Sequence, residues 1–132
     1  MSQHPHVTTV DRMTKAVLGG DGDTLEKVLS DDFRFHYRGP YPKPGDYAGP
    51  DGLLEVIGEI VKVTNGDIDL HQQFCVATDG WVAEWEHAVL GREGRHLESD
   101  NAFVYRFDRD RIAEMWMFIG APPGSESFFT ED

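Results

Sequence analysis

The stretch DDFRFHYRGPYPKPGDYAGPDG, residues 31–52, decides how the chain is read. Phe33 and Phe35 alternate with Arg34 and His36, the period-two pattern of a strand with one buried face. A loop dense in proline and glycine follows at once. Pro50 then suits the first turn of a helix, because it lacks an N–H that a first turn leaves unpaired anyway. A strand that ends in His36 and Tyr37 beside a stiff aromatic loop either lines a pocket with those side chains or turns them to solvent.

Outward from this stretch the chain is organised in two halves. Before it, Val10, Met13 and Val17 share one helical face, which predicts a helix over about Val7–Leu18, ended by GGDGD at 19–23. Asp23 and Glu26 have capping-box spacing and predict a short second helix burying Leu25, Val28 and Leu29. After it, Leu53, Leu54, Ile57, Ile60 and Val61 form the stripe of a third helix that stops at NGD, 65–67. Gly58 weakens that helix by about 1 kcal/mol relative to alanine, so it is expected to mark close packing. The remainder alternates as four strands near 67–78, 81–91, 95–107 and 111–119, with turns at TDG (78–80), REG (92–94) and DRD (108–110). Helices gathered on one side of an antiparallel sheet give an α+β two-layer fold.

Its 132 residues make one domain, 1–132, with flexible ends expected at about 1–6 and 121–132. No apolar run approaches the ~20 residues of a membrane span. MSQHPHVTTV, at 1–10, lacks the regions of a secretory signal, and Cys75 is the only cysteine, so the expected location is cytoplasmic. Twelve basic against 24 acidic residues leave a net charge of −12, which repels phosphate backbones and anionic lipid. Neither nucleic acid nor membrane is an expected partner. There is no H-E-x-x-H, G-x-S-x-G or P-loop, and the histidines suggest no metal site. His4 and His6 are expected to lie in a frayed end. The acidic SESFFTED at 125–132 reads as a solvated tail, unless Phe128 and Phe129 fold back to cap a pocket.

The segments GDGDTLEKVLSDDFRFH, GPYPKPGDYAGPDGLLEVI and AFVYRFDRDRIAEMWMF, in this order and spacing, resemble the SnoaL-like group of the nuclear transport factor 2-like superfamily, over nearly the whole chain. The resemblance implies three N-terminal helices packed on a curved, mostly antiparallel sheet, a cone-shaped α+β barrel with a cavity between sheet and helices. Relatives include ketosteroid isomerases, polyketide cyclases and dehydratases, which act on small hydrophobic molecules by acid–base chemistry without a cofactor. None is expected here. In the isomerases an Asp at the end of the first strand moves the proton, and a Tyr and a protonated Asp hold the enolate oxygen. Anchored on Gly39, the base position is His36; anchored on Asp31 and Asp32, it is Tyr37. The position of the oxyanion-holding Asp carries Phe103, and Asn101 is the nearest polar residue on that face. An Asp–Arg–Asp set of the epoxide-hydrolase kind has no match.

The candidate catalytic residues are therefore His36, Tyr37 and Asn101. His36 has the reference pKa to take and give a proton near neutrality; its plain alternative is a strand-end histidine bonded to backbone or water. Asn101, in phase with Phe103 and Tyr105, is either a ligand hydrogen bonder or half of a cross-strand polar pair. Tyr47, Trp81, Trp85, His87, Phe103, Tyr105 and Trp116 are the candidate ligand-binding residues, His87 on the premise that the Trp81–Trp85 face it shares is concave. The alternative for the tryptophans is core or interface. Both sheet faces are partly apolar, which suggests a homodimer through the sheet. The expected function is an isomerase, cyclase or dehydratase acting on a carbonyl-bearing or hydroxylated hydrophobic molecule. The alternative is a non-catalytic ligand-binding or protein-interaction member of the same fold.

Overall fold

The computed structural model describes residues 4–130. Two helices, α1 (Pro5–Leu18) and α2 (Gly22–Val28), lead into strands β1 (Leu29–Arg38) and β2 (Gly45–Ala48) and helix α3 (Gly49–Val63). A meander follows: β3 (Ile68–Ala77), β4 (Trp81–Arg92), β5 (Arg95–Asp108) and β6 (Arg111–Gly120), then a short helix α4 (Glu126–Thr130). The six strands form one sheet in the order β2-β1-β6-β5-β4-β3. Only β1 and β6 run parallel; the other pairs are antiparallel. This is the α+β architecture the sequence predicts. The sheet does not close on itself, and α1 and α3 complete the enclosure by laying their apolar faces on it.

Those faces are the predicted ones. Val10, Met13 and Val17 of α1 and Leu53, Val56, Ile57 and Ile60 of α3 are buried against Phe33, Phe35 and Tyr37 of β1 and the inner face of β5 and β6. Each such large apolar side chain contributes roughly 1.5–3 kcal/mol by leaving water.

Local structure departs from the sequence reading at five places. Helix α2 starts earlier, because Gly20 takes a left-handed φ of 69° and Asp21 caps the helix, accepting from Thr24 N at 3.1 Å and Thr24 Oγ1 at 2.7 Å. The Pro/Gly loop holds a strand: β2 adds to β1 with Phe35 opposite Tyr47. The N-terminal histidines are anchored, with His6 Nε2 2.9 Å from the Asp79 carbonyl and the His6 ring stacked on Phe107 at 3.8 Å. The acidic C-terminal stretch folds as α4 and buries Phe128 and Phe129, so a solvated tail is not what residues 125–130 form. Residues 1–3 and 131–132 lie outside the described part. Finally, Gly58 is exposed, and a Cβ built on it would meet nothing within 4 Å. It marks no close packing. Gly58→Ala is therefore expected to stabilise the protein by about 0.5–1 kcal/mol, read as a higher urea midpoint with an unchanged slope.

Candidate functional site

The β4–β5 hairpin sets the site. Its two-residue turn places Glu93 and Gly94 at φ 52° and 78°, the left-handed pair that matches strand twist. The ladder then runs without a register shift from Arg92 opposite Arg95 to Trp81 opposite Arg106. Glu86 stands directly opposite Asn101, Glu84 opposite Phe103, and Val82 opposite Tyr105. These residues face the helices. With Tyr37 of β1, Met115 and Met117 of β6, Met13 of α1 and Leu53 of α3, all of them except Val82 line a cavity of about 100 Å³. Its walls are mostly apolar, and it is smaller than the ~150 Å³ cavity known to hold a benzene ring, which limits an occupant to one small ring.

Two carboxyl groups sit in this apolar setting. Glu84 is 6% exposed and Glu86 7%. Glu84 is satisfied: the Tyr105 hydroxyl donates to its Oε1 at 2.8 Å, and the Gln72 amide donates to its Oε2 at 2.7 Å. Glu86 has less support. Burial, and then the nearby Glu84 carboxylate, push its pKa up to about 7, against a hydrogen bond from the Asn101 side chain that favours the ionised form. A carboxyl poised there can both give and take a proton at neutral pH. Burial raises the Tyr37 and Tyr105 phenols, so both stay protonated.

The mouth of the cavity is built by the loop of the opening quotation. The Tyr37 hydroxyl donates to the Tyr41 carbonyl across the loop. Its ring lies so close to Gly39 that a Cβ there would come within 2.3 Å of the phenol oxygen, so the loop requires glycine at that point. Tyr41 stacks on Phe129 at 4.9 Å, and Arg92 Nη1 donates to the Phe128 carbonyl at 2.9 Å. The C-terminal helix thus adds Phe129 to the cavity wall beside Tyr41.

Of the residues expected from sequence, Tyr37, Asn101, Phe103 and Tyr105 line the cavity. His36 does not. It points to the outer face, held between Asp46 (Nδ1 to Oδ1, 2.7 Å) and Glu114 (Nε2 to Oε2, 2.6 Å), and stacks on Trp116 at 5.2 Å. Burial alone would lower its pKa, but the two carboxylates outweigh this and raise it. The alternation of β1 admits only one of His36 and Tyr37 inward, and Tyr37 pairs with Met117 on the inner face. Trp81, Trp85, His87 and Trp116 are also outside. Trp81 is 48% exposed and Trp85 39%. His87 lies between Asp100 at 2.8 Å and Glu98 at 3.0 Å, whose hydrogen bonds raise its pKa. The premise that their face is concave is corrected by the register, which turns Val82, Glu84, Glu86 and Ala88 inward. Tyr47 packs beside Phe35 with ring centroids 6.1 Å apart, its hydroxyl donating to the Lys43 carbonyl at 2.6 Å, and does not line the cavity. The sequence reading missed Glu84 and Glu86. The available signal was Asn101: placing it inside fixes the phase of β5, and the tight turn then fixes that of β4.

Among the described residues no cluster of His, Cys, Asp and Glu side chains is placed to hold a metal ion. No described helix is long and apolar enough to cross a membrane.

An open α+β sheet roofed by helices over a small cavity is the arrangement of the SnoaL-like domain family, whose pattern matches residues 10–115, and the chain belongs to that family. Solved structures agree in fold. The chain is similar to an NTF2-like protein of unknown function from Burkholderia pseudomallei (15% identity, 98% of this chain and 100% of that chain covered, TM-score 0.76). It is similar to Bal32a from a soil-derived mobile gene cassette (22% identity, 87% and 88% covered, TM-score 0.75). It is also similar to a candidate SnoaL-like polyketide cyclase from Jannaschia sp. CCS1 (11% identity, 90% and 90% covered, TM-score 0.73). No curated protein matches the chain.

The raised Glu86 pKa gives a pH-dependent stability. A buried carboxyl that binds its proton more tightly when folded favours the folded state fully below its ordinary pKa of 4.5, and this advantage is lost as pH rises through about 7. Glu86→Gln removes the loss. The variant is expected to gain stability over wild type at about pH 8, on the order of 3 kcal/mol at most, and little at about pH 4. Urea denaturation at the two pH values checks this.

Proposed function

We propose that the protein is a cofactor-independent acid–base enzyme acting on a small hydrophobic molecule that carries a carbonyl or hydroxyl group, with Glu86 as the proton-transfer group. The reaction class is isomerisation, cyclisation or dehydration. The observation that carries this reading is a carboxyl with a pKa near 7, facing an apolar cavity and hydrogen-bonded by Asn101. In the elementary step, ionised Glu86 takes a proton from a carbon beside a carbonyl. The C–H electron pair becomes the C=C bond of an enolate, and the proton is then returned to another atom or to the same one. Glu84 has no part in this step, because Tyr105 and Gln72 already occupy its oxygens. His36, held between two carboxylates on the other face, has no place in this step. Polyketide cyclase is the description of one structural neighbour, and it supports the reaction class as analogy.

The test is deuterium exchange. Single-ring aryl ketones and hydroxyaryl ketones are incubated with the protein in heavy water, and loss of the α-proton signal is followed by NMR. Exchange is expected with wild type and should fall by about 10²-fold or more in Glu86→Gln. Ligand binding without exchange in any compound would favour the alternative, a binding protein of the same fold.

A second copy of the chain is the proposed partner. Phe74, Trp85 and Phe118 stand in one row across β3, β4 and β6, exposed by 49%, 39% and 45%, with Val76 and Trp81 beside them. An apolar ridge of this kind on a sheet is suited to self-association. Light scattering is expected to give two protomers for wild type and one for Trp85→Glu with Phe118→Glu. A cytoplasmic setting, where the lone thiol Cys75 stays reduced, belongs to the same reading.

A further inference from the structure

The cavity leaves one polar atom without a partner. Asn101 is 3% exposed, and its Oδ1 is buried with no hydrogen bond. Asn101 stands directly opposite Glu86 across the hairpin, and a hydrogen bond from its side chain to that carboxyl engages the amide nitrogen. Buried acceptors of this kind are rare in folded proteins, and leaving one unmet is costly.

The neighbouring groups share its polarity. The Tyr105 proton goes to Glu84, the Tyr37 proton to the Tyr41 carbonyl, and the Thr14 proton to the Val10 carbonyl. Each of these hydroxyls can offer the cavity only lone pairs. Ser99, two residues along β5, adds a hydroxyl of either polarity. The cavity thus offers more acceptors than donors; its donors are the Ser99 hydroxyl and Glu86 in its protonated form. A simple ketone would have only those two donors for its oxygen, and an anion would meet Glu84. A cation is poorly matched, since both oxygens of Glu84 are taken and Glu86 is shared with Asn101.

We propose that the cavity selects a neutral, single-ring ligand carrying a hydroxyl group, either a phenol or the enol form of a 1,3-dicarbonyl, whose O–H donates to Asn101 Oδ1. The inference rests on the acid–base reading of the same cavity and narrows its substrate. The volume of about 100 Å³ sets the limit of one ring. The ligand hydroxyl then lies beside Glu86, across the strand pair, where its proton or that of the adjacent carbon can be taken.

Three probes of similar size separate the possibilities: p-cresol, toluene and acetophenone, titrated into the wild-type protein and followed by ligand-observed NMR. p-Cresol carries a donor, acetophenone an acceptor only, and toluene neither. p-Cresol is expected to bind at least about tenfold more tightly than the other two. Asn101→Leu, checked for folding by its melting temperature, should bring p-cresol down to the affinity of toluene. Equal or tighter binding of acetophenone or toluene to wild type overturns the inference, and so does a p-cresol preference that survives in a folded Asn101→Leu. In those cases the role of Glu86 still stands or falls on deuterium exchange. Failure of all three probes to bind removes the cavity as a ligand site and overturns both readings together.

Discussion

The register of the β4–β5 hairpin is the constraint on which the site depends. A turn of two left-handed residues leaves the strands no freedom to slip, and every pair from Arg92–Arg95 to Trp81–Arg106 follows from it. A shift of one residue would exchange the faces of a strand. Trp85 and His87 would then enter the cavity, and Glu84 and Glu86 would go to solvent. Which side chains line the interior is thus decided at Glu93 and Gly94, several residues along the strands from Glu86 and Asn101.

Placing two carboxyl groups on an inner face opposes folding, because an ionised carboxylate is poorly solvated there. The two are handled differently. Glu84 receives a phenol and an amide, both from adjoining strands, and its burial is compensated. Glu86 receives one amide and remains strained towards its neutral form. Burial and ionisation are at odds at this position, a setting also found around groups that change protonation state in use. The outer face shows the reverse arrangement: His36 and His87 each sit between two acids in a satisfied cluster that asks nothing of a ligand.

The fold was legible because its signals are local and repeated. Val10, Met13 and Val17 announced α1, Leu53, Ile57 and Ile60 announced α3, and the turns divided the meander. The cavity face was not legible from hydrophobicity, since the rule that aromatics go inside fails when a sheet has two apolar faces. Trp81, Trp85 and Trp116 lie outside and two glutamates inside. The position of Tyr37 against His36 depends on the irregular pairing of β1 with β6 between Leu29 and Arg34, which no pattern in β1 alone reveals. α4 was hidden by the acidic residues around Phe128 and Phe129, whose burial depends on Tyr41 and Arg92, far away in the chain.

The parallel pairing of β1 with β6 has a consequence for how the protein assembles. His36 and Glu114 touch although 78 residues separate them. Contacts of that span form only after a large loop has been closed, at an entropic cost that neighbouring hairpins do not bear. The Glu86–Asn101 pair belongs to a local hairpin and needs no such closure. Tyr37, the stiff loop and the roof of helices arrive with the distant half. The interior is therefore wet while the hairpin forms, and the two carboxyl groups lose their water only when the two ends of the chain are brought together.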